Sequence, residues 1–174
     1  MTMTLIETKT LGSAQAAIEF ASIPQTYTDL FAVITARSAR AAVDDDCALS
    51  FNSNTSNYTI RRLYGTGSTA ASITTPVRFA GYLNGNSATS NTFSSINLYI
   101  PNYTGSTAKS YSTDSVTENN ATESYQDVSA GLWNDTAAIT SIAFTSNRAQ
   151  NLLTGSTISL YGITKGSDGI VVVS

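Results

Sequence analysis

The sequence predicts an all-β fold: an antiparallel β-sandwich with no substantial helix. Three observations carry that expectation. About nine to eleven short stretches alternate apolar and polar residues at period two, which sends the two sets of side chains to opposite faces of a strand. Clusters of Gly, Asn, Ser and Pro separate these stretches, and such residues supply turn chemistry. No stretch shows a 3.6-residue apolar repeat bracketed by helix caps. Many short strands between turn clusters argue for a sandwich, most simply a jelly roll.

Taken in order, residues 4–11 read as a first strand and residues 16–20 as its hairpin partner, with Gly12-Ser13 as the turn and Ile18 and Phe20 on one face. Residues 23–27 form a linker, because Pro24 has no N–H for a ladder bond. Residues 29–38 are the strongest strand of the first half. Leu30, Ala32 and Ile34 face one side and Phe31, Val33 and Thr35 the other, so both faces carry apolar side chains. Residues 38–46, which include Asp44-Asp45-Asp46, read as a solvated loop. Residues 48–51 and 58–64 follow as strands, then a Gly/Ser/Thr-rich loop over 65–75 and a short strand over 77–83. Asn84-Gly85 tolerates the positive φ values of a tight turn.

Residues 93–120 are the best-patterned part of the chain. Ile96, Leu98 and Ile100 alternate with Asn97 and Tyr99, and Pro101 ends the arm. A turn over residues 102–106, with Gly105 able to take a positive φ, leads to a second arm over 108–118 carrying Tyr111 and Val116. Residues 126–133 make a strand with Val128, Ala130 and Leu132 in phase. Residues 138–146 and 156–164 complete the domain, which spans 1–165. A linker, KGSDG, then leads to an apolar tail, Ile170, Val171, Val172 and Val173. Four consecutive β-branched residues suit strand addition, either to their own sheet or to a neighbouring subunit.

Composition narrows the function. The net charge is −3 and the nine Lys and Arg are scattered, so a nucleic-acid partner is not expected. Only 12% of residues are charged, about half the usual share, with 24 Ser, 26 Thr and 13 Asn in their place. No run approaches a membrane span, and the first residues lack a secretory pattern, so synthesis in a cytoplasm is expected. The absence of histidine removes Ser-His-Asp and Cys-His catalysis within this chain, and the lone Cys47 in CALSF reads as a small buried residue. Asp44, Asp45 and Asp46 lack the spacing of an EF-hand loop. Asp114, Glu118 and Glu123 could serve glycoside hydrolysis only as a facing pair in one cleft. Five Asn-X-Ser/Thr sequons, at Asn54, Asn57, Asn102, Asn120 and Asn134, follow from the composition. The expectation is therefore a protein that is not an enzyme and takes no cofactor or metal.

Five segments in series, FASIPQTYTDL at 20–30, TIRRLYG at 59–65, INLYIPNYTGSTAKSYSTDSVTENNAT at 96–122, SAGLWNDTAAITSI at 129–142 and ISLYGI at 158–163, resemble a family of tailed-phage virion structural proteins, common in phages of aquatic bacteria and often labelled tail fibre. The resemblance covers the chain to about residue 164 and implies a particle component, with no catalytic residues to carry over. A compact domain without a repetitive shaft suits a head decoration (cement) protein bound to the major capsid protein, expected as a homotrimer in the virion. The alternative is a receptor-binding tail-fibre tip that recognises host glycan. Ile170, Val171, Val172 and Val173 of the tail, Asn97 and Tyr99 of the hairpin, and Asn102 and Tyr103 of its turn are the expected assembly contacts.

Overall fold

The computed structural model describes residues 2–120 and 123–165. Among them twelve strands form two antiparallel sheets, with no helix. In chain order they are β1 (Thr2–Thr10), β2 (Ala17–Phe20), β3 (Asp29–Ala36), β4 (Asp44–Phe51), β5 (Tyr58–Gly65), β6 (Ala70–Thr75), β7 (Gly81–Asn84), β8 (Ser94–Ile100), β9 (Lys109–Val116), β10 (Gln126–Trp133), β11 (Ile142–Ser146) and β12 (Thr157–Thr164). The larger sheet has the order β1-β12-β3-β8-β9-β10-β5-β6 and the smaller the order β2-β11-β4-β7. The chain changes sheet at every step from β1 to β5, at β6→β7→β8 and at β10→β11→β12. That winding lays β1-β12-β3-β8 against β2-β11-β4-β7 in jelly-roll order, within the antiparallel β-sandwich expected from the sequence, and the twelve strands exceed the nine to eleven expected. β9, β10, β5 and β6 widen one layer beyond it.

Period-two alternation builds the core. Leu30, Ala32 and Ile34 of β3 and Ile96, Leu98 and Ile100 of β8 are at most 1% exposed. They join Phe20, Leu49, Phe51, Ile142 and Phe144 of the smaller sheet in one apolar cluster. The strands expected at residues 29–38, 93–100 and 126–133 are present as β3, β8 and β10.

Four local expectations are corrected. β1 and β2 are not a hairpin: β1 pairs with β12 and β2 with β11. Crossing to the smaller sheet buries Ile18 and Phe20, which a place beside the edge strand β1 would leave in water. The three aspartates are not in a loop but open β4, paired in register with Asn84, Leu83 and Tyr82 of β7. The supposed loop over residues 65–75 contains β6, an edge strand bonded to β5. In the β8–β9 turn, Asn102 takes the left-handed conformation, at φ 47°, rather than Gly105.

Under the widened part of the larger sheet, Phe51 packs against Trp133, Tyr111 and Tyr58 with ring centroids 5.6, 5.8 and 6.0 Å away. Gly131 stands opposite Tyr111 in the ladder, and a Cβ there would overlap the Tyr111 ring. One turn of the pleat further, Arg62 Nε donates to Asp127 Oδ2 at 2.9 Å, with both side chains buried. The guanidinium lies 3.6 Å from the Phe79 ring centroid and 4.6 Å from that of Tyr82. Asp127 also accepts the Ser129 hydroxyl.

Gly131→Ala is expected to cost about 1–3 kcal/mol through overpacking against Tyr111, read as a lower urea midpoint at unchanged slope. Asp127→Ala should cost about 3–5 kcal/mol by stranding the Arg62 charge, and adding Arg62→Met should recover much of that loss. Equal stabilities for the single and double variants would contradict the account of the pair.

Candidate functional site

Because Asp127, Ser129, Gly131 and Trp133 point inward, the pleat turns Val128, Ala130 and Leu132 outward. The outer face of the larger sheet can be followed across the strands from the register. Leu63 stands opposite Val128, then come Asp114, Asn97 and Val33. In the next row Arg61 stands opposite Ala130, followed by Ser112, Tyr99, Phe31 and Tyr161. Leu63 is 63% exposed, Val128 53%, Val116 37% and Leu132 36%. Hydroxyl and amide residues such as Thr59, Ser95, Ser110 and Gln126 fill most of the remaining positions. On β5, β10, β9 and β8 the outward charged side chains are Arg61 and Asp114, of opposite sign, on the two strands that flank β10.

The face has relief. Val128 separates a hollow of about 270 Å³, bounded by Leu63, Gly65 and Ala70, from one of about 190 Å³, bounded by Phe31, Asn97, Tyr99 and Asp114. Tyr99 is held in place: its hydroxyl donates to Asp29 Oδ2 at 2.9 Å, and the Asn102 N–H donates to Asp29 Oδ1 at 2.8 Å. Burial, and then the Asp29 carboxylate, push the Tyr99 hydroxyl above its ordinary pKa.

Of the contacts expected from the sequence, Asn97 and Tyr99 lie on this face and Asn102 is exposed in the turn beside it. Tyr103 is corrected: it is fully buried, and its hydroxyl donates to the Pro24 carbonyl, so it ties the turn to the core and offers no outer surface. Ile170, Val171, Val172 and Val173 lie outside the described residues. Sequence reasoning missed Leu63, Val116, Val128, Leu132 and Arg61. The signal for β10 was present in Trp133, the bulkiest side chain of that strand, which is out of phase with Val128 and Leu132.

Several titratable groups elsewhere have structural partners. Asp45 is fully buried and accepts from Ser146 Oγ at 2.7 Å and the Asp46 N–H at 2.8 Å. Asp44 and Asp46 pair with Arg40 and Arg148 at 3.6 and 4.0 Å, and burial raises both carboxyl pKa values. Asp114 borders the hollow beside Tyr99, and Glu118 a separate one beside Tyr125. Burial pushes the Cys47 thiol far above its ordinary range. Among the described residues no group of three or more His, Cys, Asp or Glu is placed to hold a metal ion. Two buried cations serve the backbone. Arg37 donates to the carbonyls of Ala88, Thr89 and Thr92 at 2.7 to 2.9 Å, and Lys109 Nζ to those of Gly105 and Thr107 at 2.6 and 2.5 Å.

No protein-family profile, curated protein or solved structure matches the chain.

At protein concentrations low enough to keep the protomer isolated, Leu63→Thr and Val128→Thr, made separately, are expected to change unfolding free energy by less than about 0.5 kcal/mol, as at ordinary surface sites. A loss typical of the core in a chemical melt would show that these side chains are packed within the protomer.

Proposed function

We propose that the protein is a non-enzymatic virion structural component, a head decoration protein that binds the major capsid protein of a tailed phage. The observation that carries this is the outer face of the larger sheet, where Leu63, Val116, Val128 and Leu132 stand exposed among hydroxyls with few charges. Exposed apolar side chains gathered on one sheet face suit burial against another protein. Low charge removes most of the desolvation cost of such a contact. The resemblance of five chain segments to virion structural proteins supplies the setting, a particle assembled in the host cytoplasm.

The alternative, a tail-fibre tip that grips host glycan, calls for aromatic rings with a free face for a sugar to stack on. The clustered tyrosines are engaged with each other instead. Tyr82 and Tyr125 stack at 4.0 Å, Tyr64 packs on Tyr125 at 6.2 Å, and Arg62 lies over Tyr82. This favours the decoration role.

The test is the position of the protein in an image reconstruction of the purified particle, together with its band intensity on a gel. Density on the outer shell, at a copy number comparable with the major capsid protein, is the expected result. Density confined to the tail tip, with a faint band, would overturn it in favour of the glycan-binding alternative.

A further inference from the structure

We infer that the outer face of the larger sheet binds a second copy of this chain, sheet face to sheet face about a two-fold axis. This deepens the assembly role proposed above: it gives that face to contact between copies, leaves the capsid contact to other surfaces of the dimer, and rests on the reading of the face as one built for burial.

Size comes first. Eight strands at ~4.8 Å spacing, each about seven residues long at ~3.3 Å per residue, present a face of roughly 900 Å², against about 800 Å² per partner in a stable interface. Charge comes second. Arg61 and Asp114 sit on opposite sides of β10, one row apart. A foreign partner would have to supply a carboxylate and a cation at that diagonal spacing. A second copy supplies both: a two-fold axis in the plane between facing sheets brings Arg61 of each copy to Asp114 of the other. On the strand lattice the same operation lays the Leu63–Val128 pair against its own counterpart and sets Leu132 over Tyr99.

Shape comes third. The ridge at Val128 has hollows on both sides, and small residues, Ala130, Ser110 and Ser112, occupy neighbouring outward positions. Ridges and hollows together on one surface are what an isologous contact needs. Two sheets in such contact stack about 10 Å apart, the spacing found inside a sandwich. A face paired with itself closes at two copies, so it generates a dimer and not the trimer that lattice three-fold points suggest.

The experiment is light scattering after size exclusion, with sedimentation equilibrium, on the full chain over a wide concentration range. The wild-type protein should be a dimer. Leu63→Glu should be monomeric with an unchanged circular dichroism spectrum, and its melting temperature should no longer depend on protein concentration. Arg61→Asp should weaken association by at least about tenfold, because each ion pair becomes a like-charge contact. Arg61→Asp combined with Asp114→Arg should restore it. A wild-type monomer at the highest soluble concentration, a trimer, or a dimer indifferent to both Leu63→Glu and the charge reversals would overturn the inference. A dimer absent from the particle would refute only the virion role, and a monomer found on the shell would refute only the dimer.

Discussion

The constraint on which the rest depends is the phase of β10. A strand has two faces and no intermediate setting, so one inward side chain decides the orientation of all the others. On β10 the deciding groups are Trp133, wedged against Phe51, Gly131, which leaves room for the Tyr111 ring, and Asp127, which holds the Arg62 guanidinium. The large apolar area of the indole, packed on Phe51 and Tyr58, sets the phase, and Asp127 and Arg62, once buried, need each other as partners. The aliphatics are left outside as a consequence. The partner strands transmit this phase: Leu63 and Val116 face outward because their inward neighbours, Arg62 and Ser115, are committed to the interior.

How much was legible in the sequence follows from the same physics. β3 and β8 were readable because aliphatics recur at every second position and their inward face is a continuous apolar surface. The stop at Pro101 was readable because proline cannot donate. The β1–β2 pairing was not, since a short glycine-containing connection is compatible both with a hairpin and with a crossing between sheets. Only the burial of Ile18 and Phe20 separates the two. The aspartates of β4 were misread because a run of like charges normally stays in water. Here alternation sends Asp45 inward to the hydroxyl of Ser146, while Asp44 and Asp46 meet arginines from adjacent loops.

The expected contact surface was partly legible for a related reason. Asn97 and Tyr99 alternate with a pure aliphatic row, so their outward orientation could be read directly. The β10 face could not, because polar and apolar residues occupy both phases there. Tyr103 follows a residue in a left-handed conformation, and that reversal swings its ring inward to Pro24. The loops that frame the face are held from beneath by Arg37 and Lys109, whose charges are spent on peptide carbonyls. Rigid loops and an anchored Tyr99 keep the outer face in one shape, so little ordering entropy is lost when it is covered.

Pairing of Thr2 with Thr164 joins nearly opposite ends of the described chain within one ladder. On a ribosome, β1 emerges long before β12 and stays without its neighbour until β12 has been made. β3 likewise waits for β12 on one side and β8 on the other. Completion of the larger sheet is therefore postponed until β12 has been made, and the loop that must close is close to the longest the described residues allow. Such high contact order predicts slow folding and a long interval in which nascent strands with open edges need protection. A chain produced in quantity would meet that interval many times over, and holding chaperones that cover open strand edges would then assist its route to the native state.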